Sequence, residues 1–104
     1  MAFDTSGYDN TATGSYSLYT NLSGAANAAN GFAAMYSNTT GISNAAMGAY
    51  SLYNNTTGNY NTATGLNALQ SNTSGNNNTA SGVAAMFSNT TGSANVASGS
   101  AALS

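Results

Sequence analysis

The stretch TTGNYNTATGLNALQSN at residues 56–72 decides the fold, because it is one copy of a unit that fills the chain. Two glycines divide it, at 58 and 65, and the same pair recurs every seventeen residues through all 104 residues. A fixed period of this length indicates a repeat architecture in which each unit stacks on the next. We therefore expect a single repeat domain, 1–104, without separate caps, whose units span 5–21, 22–38, 39–55, 56–72, 73–89 and 90–104.

A unit of this size suits a coil of two short strands and two turns. Helical units would be longer, and each glycine inside a helix would cost about 1 kcal/mol. The string NTATG at residues 61–65 alternates with period two and predicts the first strand. The segment around Ala68 and Leu69 predicts the second strand, with turns at the glycines. The sequence thus predicts an all-β fold, a parallel β-solenoid (β-roll) of six coils with two short strands per coil.

Two columns of asparagine run through the units. One is present in every unit at the edge of the first strand, where stacked amides can form a hydrogen-bonded ladder; it contains Asn10, Asn27, Asn44, Asn61, Asn78 and Asn95. The other lies in a turn, where a ladder and simple turn chemistry remain equal alternatives. Each of its members also begins a glycosylation sequon, so glycans along one edge are a further alternative; this column contains Asn21, Asn38, Asn55, Asn72 and Asn89.

Apolar side chains form further columns, and their orientation is open at this stage. One column is always Leu or Met: Leu18, Met35, Leu52, Leu69, Met86 and Leu103. The preceding column holds only Ser or Ala, and either the small or the large column faces the interior. If the large column is inside, an outward aromatic stripe remains, formed by Tyr19, Tyr36, Tyr53 and Phe87. Either arrangement leaves an apolar stripe that indicates an interface.

The composition excludes most kinds of active chemistry. The chain has no Lys, Arg, His or Cys, and its only acidic residues are Asp4 and Asp9. Acid–base catalysis, activated hydroxyl nucleophiles and zinc or copper sites therefore lack their usual groups. Nucleic-acid binding needs Lys or Arg side chains to neutralise the phosphates, and the chain has neither. The apolar runs are too short to span a membrane. We expect no enzyme, no catalytic or metal site, no cofactor, no nucleic-acid partner and no membrane insertion.

Two strings in the sequence resemble repeats of known families: NTATGLNAL at 61–69 and NTASG at 78–82. They resemble the head repeats of YadA-type trimeric autotransporter adhesins, and the related repeats of phage and bacterial tail-fibre-like proteins. The likeness extends over all six units. It implies a left-handed parallel β-roll, often trimeric, that serves as a spacer or adhesive element of a surface fibre. An extracellular, cell-surface or virion location is expected, although the start of the chain shows no signal peptide.

Self-association is therefore the leading functional expectation. Met1 and Ser104 continue the column pattern at the two ends, so the chain is either part of a longer array or a subunit that stacks end to end. A trimer is the other route to a filament or stalk. Two binding functions are alternatives: ice binding through the Thr columns at 11–13 and 62–64, and carbohydrate adhesion through Tyr16, Tyr50 or the aromatic stripe.

Overall fold

The computed structural model describes residues 6–103, and within them the chain forms one stack of coils. Six strands of three residues pair in parallel in a single sheet, in chain order. Partners lie seventeen residues apart, as for Ala12 and Ala29, which confirms the all-β parallel solenoid. The strands are β1 (Thr11–Thr13), β2 (Ala28–Asn30), β3 (Ala45–Met47), β4 (Thr62–Thr64), β5 (Thr79–Ser81) and β6 (Val96–Ser98). The positions assigned to Met1 and Ser104 lie outside the described residues.

Each coil has one strand, so the prediction of two strands per coil is wrong. The segment after β2 is a run of tight turns: Ala34 N–H donates to Gly31 O at 3.2 Å, and Asn38 N–H donates to Met35 O at 3.2 Å. Ala33, the third residue of the first turn, has a φ of 58°, as in a type II turn. Met35 follows with a φ of 52°. A strand requires negative φ throughout, so this alternation curls the chain instead.

The curled segment places the small and the large apolar columns in the interior together. Ser17 and Leu18 are both buried, as are Ala34 and Met35 in the next coil. The two alternatives drawn from the sequence assumed a strand, in which neighbouring side chains point to opposite faces. The structure confirms that the large column faces inward, as the second alternative has it, but it buries the small column as well, so the Leu/Met column is not exposed along the inner coils. Only in the last described coil is this column open, where Leu103 is 65% exposed.

The interior has an apolar half and a polar half. In each strand the central alanine faces inward between two exposed residues, as Ala29 does between Ala28 and Asn30. The strand alanines pack with the small and the Leu/Met columns into one continuous apolar cluster. The other half of the cross-section contains the two asparagine columns, which are buried in the inner coils. One Leu or Met side chain per coil, together with small side chains and stacked amides, fills the interior of this narrow rod, whose extents are 35 × 23 × 17 Å.

Two glycines per coil permit the close spacing of the coils. Gly65 has a φ of 125°, and a Cβ atom there would lie 2.7 Å from Gly82 O of the next coil. Gly58 is constrained differently, since a Cβ atom would overlap the Asn55 side chain and lie 2.5 Å from Gly75 O. In the inner coils both columns therefore exclude any side chain larger than hydrogen, which accounts for the regular spacing of glycine in the sequence.

Candidate functional site

The turn asparagines form a continuous ladder of side-chain amides. Asn38 Nδ2 donates to Asn21 Oδ1 at 2.8 Å, and Asn55 Nδ2 donates to Asn38 Oδ1 at the same distance. The pattern continues through Asn72 and Asn89, at 2.9 Å for each step. Each amide also donates to the glycine carbonyl three residues onward, as Asn55 does to Gly58 O at 3.1 Å. The column therefore links neighbouring coils and closes its own turn.

Burial of this ladder contradicts the glycosylation alternative. The side chains of Asn21, Asn38, Asn55 and Asn72 are 0% exposed. A glycan is attached through Nδ2, which is the atom that donates both ladder bonds. A sugar there would remove those bonds and would have no space beside the Gly58 backbone, whose missing Cβ already marks a close contact. These sequons are therefore structural elements of the turn.

The strand-edge asparagines form a second ladder of a different kind. Asn44 N–H donates to Asn27 Oδ1 of the preceding coil at 2.9 Å. The acceptor of this bond between coils is therefore a side-chain oxygen, whereas backbone carbonyl oxygens accept other backbone N–H bonds between coils, such as that from Leu52. The Asn44 side chain in turn donates from Nδ2 to Gly58 O at 2.8 Å. The same bonds join Asn61 to Asn44 and to Gly75. Buried amides are thus fully used inside the rod, and no described buried side-chain nitrogen or oxygen lacks a partner.

Three tyrosines of the predicted aromatic stripe stack along the rod. The rings of Tyr19 and Tyr36 lie 5.2 Å apart with an interplanar angle of 11°. Tyr36 and Tyr53 are also 5.2 Å apart, at 16°. Phe87 occupies the same column two coils further on, but Gln70 separates it from the stack. The stripe is therefore a stack of three half-buried rings on the first coils, with Phe87 apart.

A second row of aromatic side chains lies beside this stack. Phe32 makes edge contacts with Tyr16 at 5.7 Å and with Tyr50 at 5.6 Å. Tyr16 and Tyr50 also contact the stacked row, at 5.3 Å to Tyr19 and 5.6 Å to Tyr53. Together the two rows form a closed circuit of rings, which we call the aromatic cluster: Tyr16, Tyr19, Phe32, Tyr36, Tyr50 and Tyr53.

The sequence interpretation missed Phe32 and the closure of this circuit. Phe32 lies one position earlier in its unit than Tyr16 and Tyr50 do in theirs, so a comparison by columns separates it from them. The available signal was the near-regular spacing of residues 16, 32 and 50. Rings that are offset by one position can still meet, because large side chains reach diagonal neighbours on adjacent coils.

The outward face of the sheet is a shallow groove that lacks the regularity of an ice-binding array. Its volume is about 360 Å³, with strand alanines at its base and the outward columns of β1 to β4 along its sides. Thr62 and Thr64 are both exposed on this face. In β3, however, the equivalent positions hold Ala45 and a 57% exposed Met47. A bulky thioether in the middle of the face interrupts the threonine pattern.

Few other groups could carry chemistry. Among residues 6–103, Asp9 has the only carboxyl side chain, and no group of three or more His, Cys, Asp or Glu residues comes together to hold a metal ion. That same range contains no helix that is long and apolar enough to cross a membrane. The aromatic cluster and the contact surfaces between coils are therefore the features that remain for function.

Comparisons with family models, with curated proteins and with solved structures found no match to the chain.

Proposed function

We propose that the chain is a structural building block that assembles end to end into a fibre or stalk. The observation that carries this proposal is that each described coil buries the Leu/Met column of the coil before it, up to the last described coil. Leu103 is 65% exposed there, whereas Leu69 in the same column is 0% exposed beneath the following coil. An apolar side chain of this size gains about 1.5–3 kcal/mol when it is fully buried. A further coil on this surface would bury it.

The hydrogen bonds between coils support the same proposal. Leu69 N–H donates to Ala85 O at 3.0 Å, and Met86 N–H donates to Ala102 O at 2.8 Å. Among residues 6–103 no further coil follows to accept the equivalent bond from Leu103. Strands β1 and β6 likewise have a strand neighbour on one side only within that range. Unpaired edges of this kind recruit another chain, and a head-to-tail contact that does not close produces a fibre.

The near absence of charge favours association further. The net charge is only −2, so electrostatic repulsion between copies is weak. A second copy of the repeat presents the same backbone groups at the same spacing, which makes it a suitable neighbour for the last described coil. The proposed setting, a cell or virion surface, rests only on the resemblance of the repeats to those of surface fibres.

The experiment compares assembly of the full chain with that of a variant blocked at the end. We expect electron microscopy to show filaments that lengthen with protein concentration, with an axial repeat of about 4.8 Å. Leu103→Lys places a charge in the proposed junction and is expected to abolish filaments. Leu66→Lys is the matched control, because Leu66 is 45% exposed on the side of the rod; filaments should persist in it.

Two results would contradict end-to-end assembly. One is a parent chain that sediments only as a monomer at the highest attainable concentration. The other is a particle of fixed mass, such as a trimer, that forms equally well in the parent and in Leu103→Lys. The trimer result would indicate side-by-side association through the long faces of the rod instead.

A further inference from the structure

The aromatic cluster is not needed to build the coils that carry it. In the fourth coil, Asn67 occupies the column of Tyr16 and Tyr50, and Gln70 occupies the column of Tyr53. The backbone is nevertheless the same, with a φ of 62° at Asn67 and 60° at Tyr50. Polar side chains therefore satisfy this part of the fold. Six aromatic rings on neighbouring coils require another explanation.

The cluster borders a shallow, open depression in the surface. Ala33, which is 3% exposed, lines the cavity together with rings from both rows. Tyr16, Phe32 and Tyr50 remain 52%, 45% and 37% exposed at its outer side. The cavity volume is about 340 Å³, within the range of small-ligand sites. The rings meet at both stacked and edge-on angles, so the surface offers flat faces as well as edges to a ligand.

The chemistry of the cavity indicates the class of ligand. Five of the six rings are tyrosines, whose hydroxyl groups both donate and accept hydrogen bonds. The chain has no Lys or Arg, so a phosphate or carboxylate ligand would find no positive partner. A sugar ring combines an apolar face of C–H groups with a rim of hydroxyls, and this matches rings that combine an apolar face with a phenol. From these features we infer that the aromatic cluster binds a neutral oligosaccharide.

A second copy of the chain is the competing occupant, and the cluster suits it less well. Stable protein interfaces bury about 1,200–2,000 Å² in total. The cluster extends over three coils only, which is about 10 Å between the outer two coils at a spacing of 4.8 Å. Two of the three rings exposed at its outer side, Tyr16 and Tyr50, are phenols, so this side is not a continuous aliphatic surface. This inference is independent of the proposed fibre assembly, because it concerns the side of the rod and not its ends.

The test measures binding of neutral oligosaccharides to the full chain. The probes are hexasaccharides built from glucose, mannose, galactose or N-acetylglucosamine, and the readout is tyrosine fluorescence together with calorimetry. We expect at least one probe to bind and to change the fluorescence. The double variant Tyr16→Asn/Tyr50→Asn should weaken that binding by about tenfold or more. Its unfolding midpoint should stay close to that of the parent, because Asn67 already occupies the same column.

The control is Phe87→Gln, which changes an aromatic residue outside the cluster to the residue found at 70. Its affinity for the bound probe should equal that of the parent. Three results would overturn the inference: no probe binds at millimolar concentration, the double variant binds as well as the parent, or the double variant loses a lateral dimer that the parent forms. The last result would identify the cluster as an interface between copies. Because Leu103→Lys leaves the cluster intact, sugar binding and filament formation can fail separately.

Discussion

The side chains of Asn44 and Asn55 donate to the same atom, the carbonyl oxygen of Gly58, at 2.8 and 3.1 Å. One residue belongs to the strand-edge ladder and the other to the turn ladder, so the two ladders meet at a glycine in every inner coil. A Cβ atom at Gly58 would overlap the Asn55 amide and lie 3.0 Å from Asn61 Nδ2, so the glycine leaves room for an amide of each ladder. The polar half of the interior is consequently a single network, and its members should depend on one another.

The first prediction concerns the turn ladder. Asn55→Ala removes the donor to Asn38 Oδ1 and to Gly58 O, and it removes the acceptor of Asn72 Nδ2. Each buried group left without a partner costs about 1–3 kcal/mol. Denaturant unfolding should show a loss of this order, while the exposed control Asn30→Ala should change stability by less than about 0.5 kcal/mol. Equal losses in the two variants would mean that the ladder contributes nothing specific.

A second prediction concerns pH. The chain has two carboxylates and no Lys, Arg, His or Cys, so the unfolding midpoint of the parent should vary little from about pH 5 to pH 9. Asn55→Asp introduces a buried carboxyl beside Asn38 Oδ1 and Gly58 O. Burial and the neighbouring oxygens should raise the pKa of that carboxyl above its usual value of about 3.9.

The sign of the effect follows from that shift. Below the unfolded-state pKa the new carboxyl is protonated in both states, and the variant is then at its most stable. Its stability falls as the pH rises through the raised pKa of the folded state. Thermal melts from about pH 3 to pH 8 should therefore show a decline for Asn55→Asp that the parent lacks. A variant as insensitive to pH as the parent would argue that position 55 is accessible to water.

A third prediction separates backbone strain from the clash between coils. Gly82 and Gly99 have similar φ values, 126° and 119°. A Cβ atom on Gly82 would lie 2.6 Å from the Gly99 carbonyl carbon, whereas one on Gly99 would meet nothing within 4 Å. Gly99→Ala should therefore cost about 1–3 kcal/mol, from conformation alone. Gly82→Ala should cost about 1–3 kcal/mol more, from overpacking. Equal unfolding free energies in the two variants would contradict the close contact between coils.

A fourth prediction explains why the large buried column contains Leu and Met. Leu52 is 0% exposed and has a φ of 49°. Leu52→Met should cost less than about 1.5 kcal/mol, since volume is conserved and Met35 already occupies this column. Leu52→Ile has a similar volume but branches at Cβ, which positive φ disfavours, so it should cost about 1–2 kcal/mol more. Isothermal denaturation of Leu52→Met and Leu52→Ile measures this difference. If Leu52→Ile were the more stable of the two variants, the argument from backbone conformation would be contradicted.

The period and the strand could be predicted because they depend on chemistry visible within one unit. Ala63 between Thr62 and Thr64 shows the alternation of a half-buried strand, and the structure has that alternation. Uniform columns followed from the stacking of each residue on its equivalents. These features repeat six times in the sequence. A residue type that recurs at the same position in every unit indicates a structural requirement, whereas one that occurs in a single unit can be there by chance.

The curled segment could not be predicted because contacts between coils determine it. Tyr50 and Leu52 have positive φ, although neither residue type prefers that conformation. Bonds to the neighbouring coils hold them there: Tyr50 N–H donates to Phe32 O at 3.0 Å, and Leu52 N–H donates to Ala68 O at 3.0 Å. Local preference indicated a strand, and the stack outweighed it. The aromatic cluster was missed in part for the same reason, since its second row lies on this segment.

The direction of the bonds between coils has a mechanical consequence. The strands run across the rod, so their ladder bonds lie along its axis and a pulling force at the chain ends loads one coil at a time. Each coil that detaches releases seventeen residues, or roughly 50 Å of extended chain beyond its original rise. Such a rod would lengthen in equal steps at nearly constant force, because successive coils are held by nearly identical bonds. Under tension it would dissipate energy gradually rather than fracture at once.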